Sequence, residues 1–282
     1  MDSGYLVNRK KVNKIKSIVA LEKLRSDYFL KLLFNNLEKK KLLEIIKYNN
    51  NIKKRINLNI IDYQKYYGLI DIEIKPANNK YGKFINIKKE DELYYHIYFN
   101  NSKEEIERNY INKDEQVNKI KILIDYQITT FKELFYNCNC IESICFKKFN
   151  RNDIYNMNGL FCSCSSLKEL NFNNFNTNNV TDMSFMFDGC SSLKELNIEN
   201  FNTNKVNYMH TIFSGCSSLE ELDLNNFDIS NVNDKSDIFK DCKSLKKLKI
   251  DNFKINNIDE INVMFSGCSN ELIDEIKNHC KI

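Results

Sequence analysis

The sequence predicts an α/β repeat fold: a leucine-rich-repeat solenoid of 26-residue coils, preceded by a small helical segment and a β-rich connector. Three observations carry that expectation. Phe135, Phe161, Phe187, Phe213, Phe239 and Phe265 recur every 26 residues without an insertion. Cys138, Cys164, Cys190, Cys216, Cys242 and Cys268 each follow three places later. Between them an L-x-x-L-x-φ pattern opens at Leu167, Leu193, Leu219 and Leu245, and Ile141, Ile144 and Phe146 fill the same slots in the first copy. A fixed period of this length is the signature of stacked supersecondary units.

Residues 1–60 read as a helical N-terminal segment. Val12, Ile15 and Val19 lie on one stripe, and DYFLKLLFNNL follows with Ser26 or Asp27 as N-cap, then KKKLLEIIKYN. Residues 61–114 read as the β-rich connector, because LIDIEIK, GKFINIK and ELYYHIYFN alternate with period two and are rich in β-branched and aromatic residues. Pro76 and Gly82 punctuate those strands. The coils are expected over 115–270, starting with Ile120, Leu123, Ile128, Phe131 and Leu134 in apolar slots.

Within each coil the expected order is strand, Asn-rich turn, helical turn, turn. Met183, Met186 and Phe187 have i, i+3, i+4 spacing, which predicts one helical turn with its apolar side inward. Gly189, Gly215 and Gly267 suit a positive φ that closes it, and Asn137, Ser163 and Asp241 replace glycine at the same slot. Residues 271–282 read as an amphipathic cap helix, since an uncovered end would expose core and strand edge.

The units MSFMFDGCSSLKELNIENFNTNKV and MHTIFSGCSSLEELDLNNFDISNV closely resemble the BspA-like leucine-rich repeats, over roughly residues 115–270. That resemblance implies a right-handed solenoid with a parallel sheet on its concave side, a role in adhesion or other protein contact, and no active site. Bacterial members of that family are typically exported. A second stretch, residues 26–58, resembles an F-box, with Phe29, Leu30, Leu33, Phe34, Leu37, Leu42, Leu43 and Ile46 in the matching slots; the usual Leu-Pro opening and late Trp are absent. That resemblance implies a ubiquitin-ligase adaptor.

The net charge of +4 hides an asymmetry: residues 1–60 carry 15 basic and 5 acidic side chains, and residues 131–282 carry 16 and 21. Lysines spread round helices fit a solvated face better than a nucleic-acid patch. The first residues contain no signal-peptide apolar run, and nothing approaches the ~20 apolar residues of a membrane span, so the expected location is cytoplasmic. No cofactor or metal is expected. The cysteine ladder reads as structural thiols in a narrow turn, with a zinc site at Cys138, Cys140, Cys162 and Cys164 as the alternative. His96, His210 and His279 fall in three different elements, and the common phosphate, dinucleotide, zinc-protease and hydrolase motifs are absent, so no enzyme is expected.

The remaining chemistry is surface. Strand alternation turns Glu169, Asn171, Glu195, Asn197, Glu199, Glu221, Asp223, Lys247 and Lys249 outward. Glu169, Glu195 and Glu221 stack in one column, which predicts a protein-binding scaffold whose partner presents Lys or Arg, and argues against nucleic acid there. The alternatives are an F-box-type adaptor and a cell-surface adhesin.

Overall fold

The computed structural model describes residues 50–55, 68–255 and 257–281. The chain divides into two compact units, Met1–Gly68 and Leu69–Ile282. In the first, helix α1 spans Asn50–Arg55 and buries Ile52. The F-box-like stretch at 26–58 and the other helices expected over 1–60 otherwise lie outside the described residues.

The second unit opens on strands whose alternation is legible residue by residue. In β1 (Ile70–Pro76), Ile70, Ile72, Ile74 and Pro76 are turned inward. Strand β2 (Gly82–Lys83) pairs with β4 (Tyr110–Ile111), and β3 (Tyr95–Phe99) and β5 (Ile120–Ile124) alternate in the same way as β1. Isoleucine dominates these inner positions because its branched Cβ packs well on a pleated surface. Strand β6 (Ile141–Lys148) carries the first repeat into this sheet, and β7 (Glu169–Asn171) adds the second. The order is β3-β5-β1-β6-β7, antiparallel throughout except for the parallel β6–β7 pair. A separate parallel pair joins β8 (Glu221–Asp223) to β9 (Lys247–Lys249).

Residues 26 apart stack. The rings of Phe135, Phe161, Phe187, Phe213, Phe239 and Phe265 lie 5.7, 5.7, 5.6, 5.8 and 4.9 Å from one another in sequence order, nearly parallel. All six are fully buried. Each step hides an aromatic side chain, at roughly 1.5–3 kcal/mol apiece, with stacking adding about 0.5–1.5 kcal/mol per pair. The thiols support this column. Cys164 Sγ donates to the Phe135 carbonyl at 2.9 Å, and Cys190, Cys216, Cys242 and Cys268 repeat the bond to Phe161, Phe187, Phe213 and Phe239 at 3.2, 3.2, 3.1 and 3.0 Å.

These elements overturn the predicted leucine-rich-repeat solenoid of α/β class. That fold requires one strand from every coil in a continuous parallel sheet. Here the principal sheet is mixed, segment 194–198 forms no strand, and β7, β8 and β9 are three residues each. Polar side chains in the strand slots explain part of this. Asn171, Asn197 and Asp223 each accept a hydrogen bond from the backbone N–H two residues on, at Asn173, Glu199 and Asn225. Such local bonds compete with ladder pairing and end the strand.

The expected helical turn is also absent from the M-x-x-M-F segments. Glu133, Gly159, Phe185, Thr211 and Asp237 are left-handed, with φ of 55–61°, which no α-helix accommodates. The N–H groups of Met183, Phe185 and Phe187 donate to Tyr208, His210 and Ile212 of the next unit instead. Residues 120–124, expected at the start of the first coil, form β5 between β1 and β3. Helix appears at the far end: α2 (Ile258–Met264), capped by Asn257, and α3 (Asn270–Cys280), capped by Ser269 and burying Leu272 and Ile276.

Candidate binding surface

Pairing register decides which side chains share the outer face. Ser143, Glu169 and Cys145, Asn171 are partners across β6 and β7; Glu221, Lys247 and Asp223, Lys249 are partners across β8 and β9. Glu169, Asn171, Glu195, Asn197, Glu199, Glu221, Asp223, Lys247 and Lys249 are all exposed. The structure divides them into two groups.

At one end the charges neutralise each other. Lys247 Nζ donates to the Glu221 carboxylate, and Lys249 Nζ lies 2.8 Å from Asp223 Oδ2. That bond holds the Asp223 carboxyl below the usual carboxylate range and the Lys249 ammonium above its ordinary value. The β1 end is laced in the same way. Glu73 meets Lys119 at 2.7 Å and Lys147 at 3.8 Å, and Lys75 meets Glu142 at 3.0 Å. Between these ends, Glu169, Glu195 and Glu199 form no ion pair among the described residues.

The middle of the face is also open. Among the described residues Glu195, Leu196 and Asn197 make no backbone–backbone hydrogen bond to a neighbouring unit; the segment is tied to the β8 side at its two ends, by the Glu220 N–H to the Lys194 carbonyl at 3.2 Å and by Asn226 Nδ2 to the Ile198 carbonyl at 2.9 Å. A recess of about 480 Å³ lies there, and its charged lining is four carboxylates: Glu195, Glu199, Glu221 and Asp223. A second recess, of about 580 Å³, has Glu169 and Glu195 on its wall together with Lys168 and Lys194. The predicted column of Glu169, Glu195 and Glu221 is therefore unequal, with Glu221 already satisfied and the other two free to meet a cation.

The thiols offer no comparable chemistry. All ten cysteines are unpaired as disulfides. Burial pushes Cys164 and Cys216 up to about 12, and Cys140 and Cys162 up to about 11. The four sulfurs weighed for zinc point to different acceptors. Cys138 faces the Tyr136 carbonyl, Cys140 the Lys83 carbonyl, Cys162 the Asp188 carboxylate and Cys164 the Phe135 carbonyl. Among the described residues no group of three or more His, Cys, Asp or Glu side chains is placed to hold a metal ion. His96 sits 2.9 Å from Glu105 and 3.7 Å from Asp125, His210 lies edge-on to Phe185, and His279 lies 3.5 Å from Asp251.

One family model matches the stacked segment. The family described as "Mycoplasma protein of unknown function, DUF285" matches residues 110–196, 129–222 and 156–278, together more than half of the 282-residue chain. The chain belongs to the DUF285 family. The three overlapping matches cover the stacked segment of this DUF285 protein, from β4 to α3. No curated protein and no solved structure matches the chain.

Two surface residues in this DUF285 chain were missed by strand alternation, because they lie on a different ladder. Tyr155 and Tyr208 are each half-exposed. The signal for Tyr208 was available in the repeat, where it fills the slot of Asn156, Asp182 and Asp234. No helix among the described residues is long and apolar enough to cross a membrane.

Proposed function

We propose that this chain is a non-enzymatic protein-binding module, and that its partner places Lys or Arg side chains against Glu195 and Glu199. One observation carries the reading: the 480 Å³ recess whose charged lining is four carboxylates, two of them without an ion pair. A buried cationic tip in that recess would gain a charge-assisted hydrogen bond, which is stronger than a neutral one. The same charge disfavours nucleic acid on this face. The closed, hydrogen-bonded thiols and the three histidines held in separate elements favour binding over nucleophilic catalysis, which needs a base within reach of its nucleophile.

The test is capture from an extract of the source cell with the full chain, comparing the wild type with a Glu169→Lys, Glu195→Lys, Glu199→Lys triple variant. Loss of basic partners with the variant supports the site. Retention of every wild-type partner removes it.

A further inference from the structure

The second ladder of the stacked segment departs from its own rule at one unit. Thr130, Asn156, Asp182, Tyr208 and Asp234 pair in succession as parallel bridges. At three of these slots an Asx side chain caps the N–H two residues on: Asn156 that of Asn158, Asp182 that of Ser184 and Asp234 that of Ser236. Tyr208 cannot make that bond. In its unit the following slot is His210, whose Nδ1 is buried without a partner, beside Ser184, whose Oγ is also buried without one. The unit gives up a repeated local hydrogen bond and instead displays an aromatic ring, half-exposed.

Parallel partners point the same way, about 4.8 Å apart. Asp182 and Asp234 therefore occupy the slots on either side of Tyr208, the Asp182 carboxylate also accepting from Asn158 Nδ2 at 3.1 Å. Neither forms an ion pair among the described residues. Asp234 is held below the usual carboxylate range by the Ser236 hydroxyl and N–H, so it is fully ionised at neutral pH. A carboxylate in the slot on each side of an exposed phenol ring is the complement of one cation in particular: a planar guanidinium, which stacks on an aromatic face while its N–H groups reach a carboxylate. We propose that Tyr208, with Asp182 and Asp234, is a docking point for an arginine side chain of a protein partner. It lies on a ladder separate from the Glu195 face and stands whether or not that face binds.

The experiment titrates a hepta-arginine peptide into the full chain carrying Glu169→Gln, Glu195→Gln and Glu199→Gln, which removes the unpaired carboxylates of the sheet face. Tyr208→Asn is the decisive variant, because asparagine is the residue Asn156 already uses at this slot and restores the missing cap. Its unfolding midpoint should equal or exceed that of the parent, while affinity falls about two- to fivefold, the worth of an exposed cation–π contact. Asp182→Asn, which keeps the cap, should also weaken binding, and a hepta-lysine peptide should be less sensitive to Tyr208→Asn. Unchanged hepta-arginine affinity in Tyr208→Asn overturns the proposal. Should Tyr208→Asn fail to fold, Tyr208→Leu, which keeps the apolar bulk without the π face, takes its place, and unchanged affinity there overturns the proposal equally.

Discussion

The Cys216 thiol donates to the Phe187 carbonyl at 3.2 Å, from 29 residues further along the chain. Five such bonds tie each unit's turn to the ring column behind it, so the thiols are structural donors held in a dry interior. Replacing Cys216 by alanine removes one of the two hydrogen bonds that the Phe187 carbonyl accepts, leaving the Cys190 N–H at 3.0 Å, and opens a small void. A loss of about 0.5–1.5 kcal/mol is expected from the lost hydrogen bond, read as a lower urea midpoint. Cys145 on β6 and Cys280 on α3, both partly exposed, should react with a thiol reagent in the native state, and Cys190 and Cys216 only on unfolding.

Raised thiol values also set the alkaline limit. A thiol near 9 when unfolded and about 12 when folded, as at Cys216, favours folding while it is neutral. That contribution is whole below pH 9 and is lost as pH rises through 12. Stability should therefore fall steeply above pH 9, and Cys216→Ala should flatten the slope, measured by urea unfolding at pH 8 and 10.5.

Asp188 provides the acidic counterpart. Half-buried on the turn after Phe187, its carboxyl is raised by desolvation, against hydrogen bonds from Ser214 and Cys162. Ionisation costs stability at neutral pH, and protonation recovers it, so the penalty is absent below the unfolded value and grows as pH rises through the folded one. Asp188→Asn should stabilise at pH 7 and make no difference at pH 3. An equal effect at both pH values would show that charge is not the cause.

Thr203 bridges two units with one hydroxyl. It donates to the Asp228 carbonyl at 2.9 Å and accepts from the Asp228 N–H at 2.7 Å, fully buried. Thr203→Val keeps the shape and strands both backbone groups, at about 1–3 kcal/mol each. Thermal unfolding reads the loss, and Thr203→Ser, which keeps the hydroxyl, should recover most of it.

Spacing made the Phe and Cys columns legible, because identical slots 26 residues apart stack whatever the backbone does between them. Alternation in LIDIEIK and ELYYHIYFN likewise revealed β1 and β3. What the period concealed was pairing. Nothing local in Ile70–Pro76 says that it lies between Ile120–Ile124 and Ile141–Lys148, since register depends on partners distant in sequence. The i, i+3, i+4 spacing of Met183, Met186 and Phe187 suggested a helix, but apolar spacing reports burial and not φ. Phe185, at φ 58°, shows the difference. On the surface, alternation found Glu195 and Glu199, yet it could not show that Lys247 and Lys249 would silence Glu221 and Asp223.

Gly189 and Gly215 occupy equivalent places, each left-handed, and each donates its N–H to the unit that follows it. A recombination that joined residue 188 directly to 215 would remove one rung and leave every column in phase, whereas loss of one residue more or fewer would put phenylalanine where cysteine's neighbours expect a turn. The gene can therefore lengthen or shorten the stacked segment in whole steps of 26 codons, which makes length a quantity that this architecture can vary without being refolded.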